Sequence, residues 1–121
     1  VLANVPVIGT ATSADDRREA ARAGVQVVDT LDALAAALPP DAMVLVAVPV
    51  GALAAVCATL TARLGPDAIV LHLAGLQGAA ATGLITLDAP ARGRVLGTHP
   101  LAGSHDGGFA ASRPFLFHDA V

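Results

Sequence analysis

The sequence has no lysine, tryptophan or tyrosine, one cysteine, and three phenylalanines among its 121 residues. Each shortage excludes something. Without lysine there is no Schiff-base chemistry and no phosphate-binding loop of the GK[ST] type. With aromatics at 2%, the stacking platforms that single-stranded nucleic acid needs are missing. A formal net charge of -3 opposes binding to a phosphate backbone, so no nucleic-acid partner is expected. Cys57 alone makes no intrachain disulfide and no zinc knuckle, which fits a reducing, cytoplasmic setting. Charged residues are scarce too, 14% against 55% hydrophobic, a balance too apolar for disorder. The length suits one domain and not two. No basic segment precedes an apolar stretch at the start, so a signal peptide is not expected. The first residue is Val1 rather than Met, and the sequence is expected to be part of a longer protein.

Charge is absent altogether from residues 42–62 and 68–87. Each stretch has about the 20 apolar residues that cross a bilayer as a helix. Both, however, change texture midway. A β-branched run (MVLVAV, AIVLHL) gives way to Pro or Gly and then to an Ala-rich run, the pattern of a buried parallel strand followed by a crossover helix. Pro49, Gly51, His72, Gln77 and Thr82 are costly in lipid as well. No membrane partner is expected.

The same alternation runs through the chain. Val5–Ile8 predicts a strand, followed by a helix capped by Ser13, with Asp15 and Asp16 in its first turn and Gly24 at its stop. Val25–Val28 predicts a strand, and Thr30–Leu38 a short helix ended by Pro39 and Pro40. Ala42–Val48 predicts a strand with no polar face, buried on both sides by helices. A helix over Gly51–Leu64, a strand over Ala68–Leu73, a weak helix over 76–87 interrupted by Gly83, and a strand over Arg94–Thr98 follow. A short helix near Phe109–Ser112 and a strand at 115–117 close the series. Strands alternating with helices through short connections define an α/β fold, a doubly wound parallel sheet of Rossmann-like kind. Ligands of such sheets lie outside the carboxyl ends of the strands. Those ends comprise 9–13, 49–51, 73–78 and 99–108.

The block from Val95 to Phe117 is the most informative. His99 ends a strand, Pro100 fixes the backbone after it, and Gly103, Gly107 and Gly108 let the following loop approach a ligand. A histidine so placed suits proton transfer near neutral pH, or serves only as a turn residue bonded to backbone. His72, in an apolar strand, is expected to be a satisfied core histidine. His105 either lines a site or is solvated, and His118 is expected near the surface. The spacing of the four histidines gives no helical metal pair, so no metal is expected. Cys57, among Ala and Val in a helix, is expected to be a small buried residue. Ser104 has no acid partner for a hydrolytic triad.

Gly97-Thr-His-Pro-Leu-Ala-Gly-Ser104, with Gly107, Gly108, Ala110-Ala111 and Leu116-Phe117 after it, resembles the NAD(P)-binding domain of the prephenate/arogenate dehydrogenase family. That family carries a GxHPMAGSE strand end followed by Gly and an AA…LF stretch. Ala47-Val-Pro-Val-Gly51 is similar to its AVPV strand end beside the cofactor. Three departures stand out. The dinucleotide fingerprint GxGxxG is absent, and the helix after Gly9-Thr-Ala-Thr-Ser-Ala14 is strongly polar. Val5–Ile8 is therefore read as the second strand of the fold, with the first βα unit lacking, and residues 1–121 as a partial dinucleotide-binding domain. The family's GSVKG-like turn is Ala74-Gly-Leu-Gln-Gly78 here, with Gly75 in the Ser place and Gln77 in the Lys place. The family's Glu after AGS is His105. His72 with the LAG turn is also similar to a related Rossmann-like family of unassigned function that has an HxSG turn there.

The resemblance implies an oxidoreductase that passes hydride from prephenate or arogenate to NAD(P)+ with decarboxylation, a step of tyrosine biosynthesis. His99 would polarise or deprotonate the hydroxyl, and Ser104 would shape the pocket. Val48, Pro49 and Gly75 would border the cofactor. Thr10, Thr12, Ser13 and Arg17 would face its ribose, because NAD sites place a carboxylate there and NADP sites replace it with small polar residues and an arginine. Arg17 and Arg18 thus favour NADP, with NAD possible; the competing reading is a capped, solvent-facing helix whose arginines pair with Asp and Glu. The implied partners are a small-molecule substrate and a second copy, dimerising through a C-terminal helical domain missing from this sequence. The alternative, from a different class, is a non-catalytic Rossmann-like module that senses a dinucleotide.

Overall fold

The computed structural model of the chain describes residues 5–100 and 106–113. They fall into two compact units, one formed by Val1–Leu34 with Leu101–Val121 and one by Ala35–Pro100.

In the first unit, β1 (Ile8–Gly9) pairs in parallel with β2 (Gln26–Val27) across α1 (Ala14–Arg22). The ladder is shorter than the apolar run Val5–Ile8 implies, because Pro6 has no N–H to donate. Ser13 caps α1 by accepting from the Asp16 N–H at 3.2 Å. The helix stops where Gly24, at φ +90, donates to Ala21 and Val25 donates to Ala20. These two bonds form a Schellman motif, and the left-handed residue it needs is the glycine. The turn Phe109–Ala111 docks on the start of α1, where the Phe109 N–H donates to Asp16 Oδ1 at 2.8 Å. Gly108 just before it has φ +85, and a Cβ there would sit 3.0 Å from the same oxygen. Helix α2 (Leu31–Ala37) opens on Thr30, whose Oγ1 accepts from the Ala33 N–H at 3.0 Å.

The second unit is a three-stranded parallel sheet in the order β3 (Met43–Val46), β4 (Ile69–His72), β5 (Val95–Gly97). Helix α3 (Val50–Arg63) crosses from β3 to β4, and α4 (Gln77–Leu84) with α5 (Ala89–Arg92) crosses from β4 to β5. Val44, Val46, Val70 and His72 are buried on one sheet face, and Leu53, Cys57 and Leu60 are buried on α3. Each of the larger apolar side chains buried here stabilises the unit by about 1.5–3 kcal/mol. Arg94 ties the sheet to the end of α3, its guanidinium donating to the carbonyls of Thr61 at 2.6 Å and Gly65 at 2.7 Å. Cations are favoured at that helix end.

Three expectations are corrected. Strand β3 is not covered on both faces: Met43 is 67% and Leu45 63% exposed, while Val44 and Val46 between them are buried. Within this unit the crossovers from β3 to β4 and from β4 to β5 step in the same direction, and parallel connections of one hand then put α3 and α4 on the same side of the sheet. Gly83 does not interrupt α4; it lies within the helix, facing α3, where a Cβ would meet Ala54 Cβ at 3.6 Å, an ordinary contact. The helix instead ends at Leu84, and α5 was not foreseen, a single turn capped by Asp88, which accepts from the Ala91 N–H at 2.8 Å. The two uncharged stretches divide into strand and helix as expected. Among the described residues no helix is long and apolar enough to cross a membrane. The expected strand at 115–117 lies outside the described residues.

Candidate functional site

The carboxyl ends of β4 and β5 bring together residues that lie more than twenty positions apart. Register aligns Val46, His72 and Gly97 across the sheet. His72, 3% exposed, is therefore the direct neighbour of a residue with no side chain. A Cβ on Gly97 would fall 3.0 Å from His72 Nε2 and into the Gln77 amide oxygen. The space that glycine leaves is filled by those two polar groups. His72 Nδ1 accepts from the Ala74 N–H at 3.4 Å. His72 is a core histidine, as expected, and among the described residues no buried side-chain nitrogen or oxygen lacks a partner.

Gln77, the first residue of α4, spreads its amide over two loops. Its Nε2 donates to the carbonyls of Ala74 and, at 3.0 Å, of Thr98. Thr98 is further held by its N–H, 2.9 Å, and its hydroxyl, 3.0 Å, both donating to the His72 carbonyl. His99 follows on this anchored residue, exposed, with its Nε2 3.3 Å from where a Cβ on Gly75 would lie. The imidazole thus lies against the backbone of the turn after β4. His99 and Gly75 lie close together; Gln77, noted in the sequence as part of the Ala74–Gly78 turn, joins them with His72, Gly97 and Thr98. The available signal was one polar residue, His72, in an otherwise apolar strand.

Val48 and Pro49 stand at the end of β3. Pro49 caps α3 through its carbonyl, which accepts from the Ala52 N–H at 2.9 Å, and has no side chain to spend on capping. Beneath them Cys57 is fully buried, and burial pushes its thiol from 9.0 to about 11. Desolvation disfavours the thiolate, which makes this a packing residue and not a nucleophile.

Thr10, Thr12, Ser13 and Arg17 belong to the other unit. They occupy the connection from β1 into α1. Arg17 holds that connection together: its guanidinium donates to the carbonyls of Ala11 and Thr12 and pairs with Asp29 at 3.4 Å. Arg18 is exposed and pairs with Asp15 on the same helix. No carboxylate occurs between Gly9 and Ala14, so the end of β1 offers hydroxyls and backbone and no acidic acceptor for a ribose. Ser104 and His105 lie outside the described residues.

The sequence matches the family described as prephenate dehydrogenase, nucleotide-binding domain, over residues 2–121. No curated protein matches it. Among solved structures, prephenate dehydrogenase from Aquifex aeolicus in complex with hydroxyphenyl propionate and NAD+ is similar, at 19% identity and a TM-score of 0.70. That comparison covers 93% of this chain and 38% of the other. A second structure of the Aquifex aeolicus enzyme gives 20% identity and a TM-score of 0.69, over 92% of this chain and 39% of that one. A provisionally assigned prephenate dehydrogenase from Corynebacterium glutamicum gives 25% identity and a TM-score of 0.73, over 88% of this chain and 32% of that one. The chain therefore spans about a third of the length of these proteins, and with the two Aquifex structures it shares the Rossmann-like fold.

Proposed function

Since the chain belongs to the prephenate dehydrogenase family by its nucleotide-binding domain, we propose that it forms the dinucleotide-binding part of a dehydrogenase acting on prephenate or arogenate, a step of tyrosine biosynthesis. The observation that carries this reading is His99 at the carboxyl end of β5, on a backbone anchored at Thr98 and against the Gly75 turn. A bound nicotinamide supplies the hydride acceptor. His99 accepts a hydrogen bond from the substrate hydroxyl and draws its proton as the carbon beneath gives up hydride. Loss of the ring carboxylate as CO2 leaves its electron pair in the ring, and the proton returns to the oxygen. Such a positioned base contributes about 10²–10⁴-fold.

NADP is the favoured cofactor in this reading, with NAD accepted less well. The β1 end carries no acid, and Arg18 stands exposed one turn into α1. Arg17 is spent on the Ala11 and Thr12 carbonyls and on Asp29, which makes it the residue that shapes the ribose turn. By the family resemblance, Thr10, Thr12 and Ser13 in the first unit, and Val48, Pro49 and Gly75 in the second, are the cofactor-binding candidates, and Ser104, outside the described residues, is a candidate for shaping the pocket. The parent protein is a cytoplasmic enzyme whose further, helical part closes the site and dimerises.

The deciding experiment replaces His99 by Asn in the full-length protein. The expected result is a fall in kcat of about 10²–10⁴-fold with little change in cofactor affinity. Wild-type kcat at saturating prephenate or arogenate would overturn the assignment. A wild-type protein that binds dinucleotide tightly and turns over neither substrate would point to a sensing module instead.

A further inference from the structure

We propose that Gln77, whose amide links the turn after β4 to the carbonyl before His99, is a positioning residue for His99; the proposal rests on the reading of His99 as the proton acceptor. The oxygen Gln77 holds belongs to the peptide that leads into His99, so the amide fixes the plane of that peptide. Pro100 limits rotation on the other side. The two N–H groups of the Gln77 amide each take a carbonyl, Ala74 from the turn after β4 and Thr98 from the end of β5. These are the two segments that carry Gly75 and His99, the pair whose separation sets where the imidazole lies.

The orientation of the amide is itself determined. With both N–H groups directed at carbonyls, its oxygen turns toward the space above Gly97, where a Cβ would run into it. His72, whose Nδ1 accepts from the Ala74 N–H, borders the same space, its Nε2 3.0 Å from where that Cβ would lie. The amide thus joins the turn after β4 to the carbonyl before His99. Gly97 is the condition for it, since any side chain there would occupy the place of the amide oxygen. Gln77 is exposed, so the fold loses little when it is replaced, whereas a misplaced catalytic group costs up to about 100-fold.

The test is a double-mutant cycle in the full-length enzyme. Gln77→Met keeps the length of the side chain and removes its donors and acceptor. It should lower kcat roughly 10-fold to 100-fold, leave the KM for cofactor near wild type and shift Tm little. In a His99→Asn background the same change should have almost no further effect, because Gln77 acts through the histidine. Gly97→Ala, which drives the amide oxygen from its place, should reproduce the loss. Equal loss from Gln77→Met in both backgrounds, or wild-type kcat with His99 present, would overturn the positioning role while leaving the role of His99 standing. His99→Asn with wild-type kcat would overturn both.

Discussion

His99 Nε2 lies 3.3 Å from the position a Cβ on Gly75 would take, closer than side chains ordinarily pack. The turn after β4 and the end of β5 are therefore fitted to each other through a missing side chain. Gly75→Ala should displace the imidazole by a few tenths of an ångström. Because the ring is exposed and free to yield, stability should change by no more than about 0.5 kcal/mol. The full-length enzyme should lose several-fold in kcat, and Gly75→Val should lose more. Steady-state kinetics beside a thermal melt separates the two effects.

Gly65 meets backbone where Gly75 meets a side chain. A Cβ there would lie 2.5 Å from the Pro40 carbonyl oxygen and 2.7 Å from Pro40 Cα. Neither atom can rotate away, so Gly65→Ala should cost about 1–3 kcal/mol, the usual range for overpacking. A lower urea midpoint with an unchanged slope is the expected readout.

Cys57 gives a prediction in alkaline solution. Its thiol is raised from 9.0 to about 11 by burial, so between those values the unfolded chain gives up a proton that the folded chain keeps. The folded state then binds more protons, and stability falls as pH rises. The contribution is fully present below about pH 9 and is lost progressively through about pH 11. Cys57→Ala should flatten that part of the stability curve. At pH 8 the native thiol should resist alkylation and react once the chain is unfolded.

The two arginines of α1 should separate in binding. Arg18→Ala should weaken NADP by roughly tenfold and leave NAD nearly unchanged, as expected for loss of a charge-assisted contact to a 2′-phosphate. Arg17→Ala should weaken both cofactors, since the Ala11 and Thr12 carbonyls lose their donor. Titration of the full-length protein with each dinucleotide checks this.

The order of elements was legible because the local chemistry is unambiguous. Ser13 and Thr30 cap helices, Gly24 ends one, and valine runs stop at Pro49 and Gly75. Coverage of the sheet was not legible, since Met43 and Leu45 differ little in hydropathy from the buried Val44 and Val46. His99 could be singled out from its neighbours in sequence. Its support could not, because the link from His72 to Gly97 depends on which residues two strands place side by side. The single-turn α5 escaped because four residues carry no periodicity.

The Phe109 N–H and Asp16 are 93 positions apart, and the bond between them closes the first unit. During synthesis the stretch Ala35–Pro100 leaves the ribosome as one continuous piece and has all its own strands in hand. The first unit must wait until its final segment has emerged. Closing so long a loop is entropically expensive and slows the contacts that depend on it. The α1 end thus gains this contact only after the second unit has all its strands, and a nascent chain halted before Asp106 would carry the complete His99 turn while Asp16 still lacked the Phe109 N–H.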